Sequence, residues 1–396
     1  MLFLILSRKD LLKNHPSASI ILGVTAMIHR LCSSENCDKI SSVAKVVTAF
    51  NDYLGPKCRS GDEKKILTAL KAFGNMGYHG KAHRNIIECA ESCSKSIKVR
   101  LAAIESFRRI DKKRPDEFLQ IYSNTNEDYE VRIAIFASMV KHADEEQLQQ
   151  IAEVAENETD EQVSSYVYTF LKNMGKTPFP SKQKTRKMIQ NLKIRQPNEN
   201  YWKNSKHIEV SGFSKLMAIG GAIEADIIQE PNTKLPRSVY TRLDVDLFGR
   251  NFNLLEFGVR AEKLEDILNR FVELKQELSK KKLRNLFGIK SLLGDTNTEL
   301  SLFVRTMNAE VFDLSTSDLI ALREVMARQK DFDLSHSFVF MNSKLVLPSI
   351  TGRSYSIDLT GSSTVGLTAK SKFDLLSLPG AGDVRLQFQP RLTIIL

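Results

Sequence analysis

The sequence predicts an α+β protein, a right-handed α-solenoid of paired helices followed by antiparallel β-sheets. Three observations carry that expectation. Between Leu67 and Leu171 one unit recurs at a spacing of 32 residues: Leu67, Val99, Val131 and Val163 share one register, Leu70, Ala102, Ala134 and Tyr166 a second, and Asn75, Phe107, Met139 and Leu171 a third. Beyond Tyr201-Trp202 the apolar period falls from helical to two, and a further alternating stretch occupies the tail from about Phe338.

Within the repeat another apolar pair keeps step, Ile86-Ile87, Phe118-Leu119 and then Ile151, so each unit holds two short amphipathic helices. Such a pair cannot bury its apolar stripe alone and must stack on its neighbours. The 396 residues suffice for two or three domains with cores of their own. The expected divisions are a superhelix over 1–195, an antiparallel sheet over 196–262, amphipathic helices and connectors over 263–332, and the start of a second sheet over 333–396.

Taken in order, Met1–Leu6 is apolar but stops at Arg8-Lys9, too short a run for a signal peptide. Two helices follow over 17–54, with Ile20, Ile21, Val24, Met27, Ile28 and Leu31, then Ile40, Val43, Val46, Val47 and Phe50, at three- and four-residue steps. The phased repeat runs from about Glu63 to Met174; Gly74 and Gly77 suit helix ends, and Pro115 before Asp116-Glu117 suits a helix start. From Gly175 to Asn200 prolines and basic residues (Lys182, Lys184, Arg186, Lys187) suggest a connector with a short basic helix. It is either solvated or a site for phosphate or sulfate. It has no interleaved aromatics for base stacking, so no nucleic-acid partner is expected.

In the first β region Ile219, Gly221, Ile223, Ala225 and Ile227 face one way while Glu224 and Asp226 face the other. Leu243, Val245 and Leu247 alternate with Arg242, Asp244 and Asp246. Residues 261–286 return to a helical period ending in Lys280, Lys281, Lys282 and Arg284, a stripe that packs on a core or lies on a lipid surface, and another helix is expected over Thr316–Gln329. In the tail Tyr355, Ile357 and Leu359, then Val365 and Leu367, alternate with polar residues, and Gly361-Ser362-Ser363 suits a turn between them. The chain stops in mid-strand at Leu396, and both ends suggest a piece of a longer protein.

A net charge of +10 favours acidic partners or simply a solvated surface. Five cysteines, Cys32, Cys37, Cys58, Cys89 and Cys93, crowd into the first quarter without zinc-ligand spacing, compatible with disulfides or with buried thiols. Asn157-Glu158-Thr159 is the one glycosylation sequon, weak support for secretion. No nucleophile motif, phosphate loop or dinucleotide fingerprint is present, so no catalytic residue, metal or cofactor is expected and the chain is read as non-enzymatic.

Several segments carry a family likeness. Leu67-Thr68-Ala69-Leu70-Lys71-Ala72-Phe73-Gly74-Asn75-Met76-Gly77 and Glu130-Val131-Arg132-Ile133-Ala134-Ile135-Phe136 resemble repeat helices of the large lipid transfer proteins: vitellogenins, apolipophorins, apolipoprotein B and the microsomal triglyceride transfer protein. Leu235–Val239, Leu243–Gly249 and Asn342–Gly352 are most similar to the insect apolipophorin branch. The resemblance implies a superhelix bracing β-sheets that enclose part of a lipid cavity, with phospholipid and neutral lipid as cargo in a secreted, extracellular lipoprotein. It further implies contacts to a lipoprotein receptor or, through the basic segments, to a sulfated polysaccharide. It also implies two disulfides, Cys32–Cys37 and Cys58–Cys93, leaving Cys89 free. The expected lipid-facing residues are Ile219, Ile223, Leu243, Val245, Leu247, Tyr355, Ile357, Leu359, Val365 and Leu367. The alternatives are a helical-repeat scaffold that binds proteins, and a yolk store.

Overall fold

The computed structural model describes residues 18–34, 36–59, 62–91, 95–190, 192, 194–198, 203–231, 233, 235–247, 250–262, 299–315, 332–348, 352–369 and 384–395. Its helices are α1 (Ala18–Ser34), α2 (Ser41–Leu54), α3 (Glu63–Met76), α4 (His83–Glu91), α5 (Ile97–Glu105), α6 (Asp116–Ser123), α7 (Tyr129–Val140), α8 (Glu145–Glu156), α9 (Glu161–Met174) and α10 (Gln183–Ile189). The 32-residue unit is the pairing α5–α6, α7–α8, and its start signals stay in phase. Ser96, Asp128 and Asp160 each accept a hydrogen bond from the first turn of α5, α7 and α9, satisfying N–H groups that the helix itself leaves open. Phe73, Phe107, Phe118, Phe136, Tyr166 and Phe170 are buried along one continuous core, in mostly edge-to-face contacts.

The repeat also carries a polar spine. Arg100 donates to the carbonyl of Ala90 and to both carboxylate oxygens of Glu127; 32 residues on, Arg132 donates to the carbonyl of Tyr122 and to both oxygens of Glu158. A planar guanidinium serves a carbonyl and a carboxylate at once, tying each unit to the next.

Gly77 ends α3 in the left-handed conformation (φ 62°), as expected. Gly74 does not end it. It lies inside α3, where a Cβ would fall on the Arg108 guanidinium, so its role is close approach. Cys32 pairs with Cys37, whereas Cys58 pairs with Cys89, not Cys93. The reason is where α4 docks. Cys89 is fully buried on the face of α4 that meets the Pro56–Cys58 turn, with the two Cα atoms 5.1 Å apart. Cys93 lies outside the described residues.

The strands are β1 (Lys206–Ser214), β2 (Ile219–Gln229), β3 (Pro236–Leu247), β4 (Arg250–Ala261), β5 (Leu300–Thr306), β6 (Ala309–Ser315), β7 (Phe332–Pro348), β8 (Ser354–Ala369) and β9 (Val384–Ile395). β1 to β6 form one antiparallel sheet in sequence order and β7 to β9 a second. The first sheet thus passes the expected boundary at 262. The stretch 300–315, where the sequence predicts a connector, supplies two strands whose shortness hides their alternation. β8 also runs unbroken through Gly361-Ser362-Ser363; these residues pair with Leu392, Arg391 and Pro390 on one side. On the other side a register shift between Val339 and Met341 absorbs the irregularity expected to be a turn. The helical stripe at 263–286, Lys280–Arg284 and the helix at 316–329 lie outside the described residues.

Candidate functional site

The first sheet is laid on the superhelix by its charged side. One residue from each strand, Glu209, Glu224, Arg242, Glu256, Arg305 and Glu310, stands opposite the next across all six strands. Lys182, in the turn before α10, reaches Glu209 and Glu224 at one end, and Lys71 of α3 reaches Glu310 at the other. Four carboxylates therefore meet four cations, so the row is neutral within itself and tolerates burial. Burial opposes the charge on Glu310, yet Lys71 and Arg305 override it and hold its pKa down to about 2. Burial likewise opposes charge on Glu224, and Arg242 and Lys182 hold it well below the usual carboxylate range.

The inner helices of the repeat close this row. Asn75 of α3, in a register otherwise apolar, donates to the carbonyl of Glu310 and accepts from its N–H, a paired clamp on β6. Arg108 and Arg109, just after α5, donate to the carbonyls of Asn308 and Met307 in the β5–β6 turn. Glu130 of α7 takes Arg260 in three hydrogen bonds of 3.0 to 3.1 Å and accepts from Ser238. Tyr166 of α9 donates to Asp226 at 2.7 Å, and Asp226 also meets His207. Between these contacts lies a chamber of about 1020 Å³, lined by Arg114, Lys141, Asp244 and Asn253 among others. Burial lowers the pKa of Lys141, whose ammonium makes no hydrogen bond or ion pair among the described residues.

With its polar side covered, the sheet leaves its apolar side bare. Val210, Ile223, Leu243 and Leu255 form one row across β1 to β4, and Ile208, Ala225, Thr241, Phe257, Val304 and Phe312 form another across all six strands. Val210 is 70% exposed and Ile223 60%; Ile208, Ile219, Leu243, Leu254, Leu255, Phe257 and Phe312 are exposed too. A contiguous apolar face of this extent is not left to water in an ordinary soluble domain. Leu254 and Leu255 both face outward because the register shifts opposite Leu243 and Asp244, a bulge that also explains why the apolar parity of β4 changes between Leu254 and Phe257.

Of the expected lipid-facing residues, Ile219, Ile223 and Leu243 are exposed on this face, with Val245 and Leu247 half-buried beside them. Tyr355, Ile357, Leu359, Val365 and Leu367 occupy alternate positions of β8 in the second sheet. Asn157 is exposed at the end of α8, while Glu158 within the same sequon is buried on Arg132. The basic connector spends much of its charge internally. Lys182 is in the ladder, Arg186 donates to the carbonyl of Thr177, and Arg195 to that of Glu158. Sequence reasoning missed the ladder and its helical anchors. The one available signal was Asn75, a polar residue in a register filled elsewhere by Phe107, Met139 and Leu171.

Acid should loosen this arrangement in two stages. Burial depresses the pKa of His79 to about 3 and of His29 to about 4. The unfolded chain therefore takes up protons just below about pH 6.5 that the folded one refuses, and stability falls as pH drops through that window. For fully buried His79 alone the loss is about 2 kcal/mol by pH 5. Below pH 4 the depressed carboxylates Glu310 and Asp226, each held to about 2, lose the stability that they contribute at higher pH. Urea midpoints at pH 7, 5 and 3 check both stages, and equal midpoints at pH 7 and 5 would contradict the first.

The comparisons with known proteins agree with this architecture. The family model described as the vitellogenin TPR domain matches residues 4–172, and that described as the vitellinogen open beta-sheet matches 203–395. Apolipophorins of Locusta migratoria are 25% identical over 96% of this chain, and a vitellogenin of Penaeus merguiensis 26% identical over 64%. This chain spans 13% and 10% of the length of those two relatives. A solved structure concerned with lipid-protein interactions in lipovitellin superposes with a TM-score of 0.62 at 20% identity, over 90% of this chain and 37% of that one. Helical repeat and open sheet occur here in the family's order and over nearly the whole chain: it belongs to the large lipid transfer protein family of the vitellogenins and apolipophorins.

Proposed function

We propose that this chain carries lipid as part of an extracellular lipoprotein, with the bare side of the β1–β6 sheet as a wall of the lipid compartment. One observation carries the reading. The sheet turns its ions toward protein and its aliphatic rows outward, the reverse of a sheet on an ordinary core. Acyl chains would satisfy that face as well as protein would, at ~25 cal/mol per Å² of apolar area covered. Such contact is non-directional, which suits a cargo of mixed phospholipid and neutral lipid. The two disulfides support an oxidising compartment.

The test is organic extraction of the purified chain followed by lipid quantification. Phospholipid or neutral lipid is expected to co-purify in a fixed ratio, and the double substitution Ile223→Asp, Leu243→Asp should remove most of it while leaving the helical circular dichroism unchanged. A lipid-free, monodisperse wild type would favour a protein-binding scaffold instead.

A further inference from the structure

The hairpin between β1 and β2 ends in an apolar tip. Leu216 is 97% exposed and Met217 62%, in a turn over 215–218 where polar and small residues are the rule. The turn is nonetheless firmly supported from below. The backbone of Gly220 runs beneath the rings of Phe213 and of fully buried Phe179, so close that a Cβ there would lie 2.7 Å from the first and 3.0 Å from the second. On the other side the tip leads toward the bare face: Ile219 follows it directly, and the Val210–Ile223 pair lies beyond the Gly212–Gly221 pair on the same side of the hairpin. Lys215 stands exposed at the same tip.

We propose that this hairpin tip docks on a phospholipid surface, with Leu216 and Met217 entering the acyl boundary and Lys215 meeting headgroup phosphate. The proposal rests on the reading of the sheet as a lipid wall and adds the place where the chain meets the bilayer or particle that exchanges lipid with it. Two lines support a lipid surface over a protein partner. The tip stands on the same side of the hairpin as the aliphatic rows, joined to them through Ile219, and its single charge is the sign that phosphate attracts. Two apolar side chains and one ammonium give a weak, reversible attachment, as loading and unloading require.

Flotation of the whole chain with vesicles tests it, using phosphatidylcholine alone and phosphatidylcholine with phosphatidylglycerol. Wild type is expected to float with both and more strongly with the second. Leu216→Ser combined with Met217→Ser should weaken flotation about tenfold or more, and Lys215→Glu should remove the preference for the anionic vesicles. Lipid recovered by extraction should be unchanged in these variants, which separates this proposal from the lipid-wall reading. Wild-type chain that does not float, or a double variant that floats as wild type does, would overturn the docking tip while leaving the wall intact. Loss of extractable lipid together with flotation would overturn it too, by making the tip part of the wall.

Discussion

Replacing Arg305 by methionine is expected to destabilise the fold by about 4 kcal/mol, within the range for breaking a buried ion pair from one side. Arg305 is nearly inaccessible and serves three carboxylates: Glu256 at 2.9 Å, Glu310 at 3.0 Å, and Glu105 of α5. Burial works against its charge, but Glu105, Glu256 and Glu310 overcome that and raise its pKa. Without the guanidinium those carboxylates face one another, with Lys71, shared with Asp313, left on Glu310 and Arg242 left on Glu256 at 3.9 Å. The sheet should therefore come off the superhelix before the superhelix itself melts. Limited proteolysis would cut within 206–315 first, and urea unfolding would separate into two transitions. Arg305→Lys should recover only part of the loss, since one ammonium cannot spread over three carboxylates. A methionine variant within 1 kcal/mol of wild type, about the value of an exposed ion pair, would show that the row contributes little to docking.

The second large effect belongs to the helical spine. Arg132→Ala should cost about 3 to 5 kcal/mol. Arg132 and Glu158 are each about 1% exposed at the side chain, and Glu158 also accepts from the N–H groups of Thr159 and Asp160 at the entry to α9. Truncation leaves that carboxylate buried without a counter-charge. The pair Arg132→Leu, Glu158→Leu should be far less damaging than either single change, because both desolvated charges vanish together. Denaturant midpoints of the two single variants and the double form a cycle that reads this coupling directly. If the double variant is the sum of the singles, the partnership is not where the energy lies.

Much of this was legible beforehand, for a physical reason. Stacked units must bury the same positions at the same interval, so Val99, Val131 and Val163 gave the superhelix away, and parity alone sorted Ile223 from Glu224 and Leu243 from Asp244. Parity cannot say which side of a sheet is covered. That depended on partners more than a hundred residues away, such as Glu130 for Arg260, and a buried glutamate looks in sequence like any exposed one. The same limit produced the error at Cys58. Cys89 and Cys93 differ by one helical turn, and only the docking of α4 on the Pro56–Cys58 turn decides between them.

Asn75 teaches the converse lesson. It sits in a slot filled elsewhere by Phe107, Met139 and Leu171, and its amide is spent on the backbone of β6 instead of on packing. A polar residue breaking an apolar register marked the point where the superhelix grips the sheet.

The ionic rungs lie on one side of a single layer of strands and the oily rows on the other. A layer built this way keeps its bearings whatever rests on its far side. On the proposed reading, the volume of cargo can grow or shrink, and its chemistry can change, without disturbing a single contact that anchors the floor beneath it.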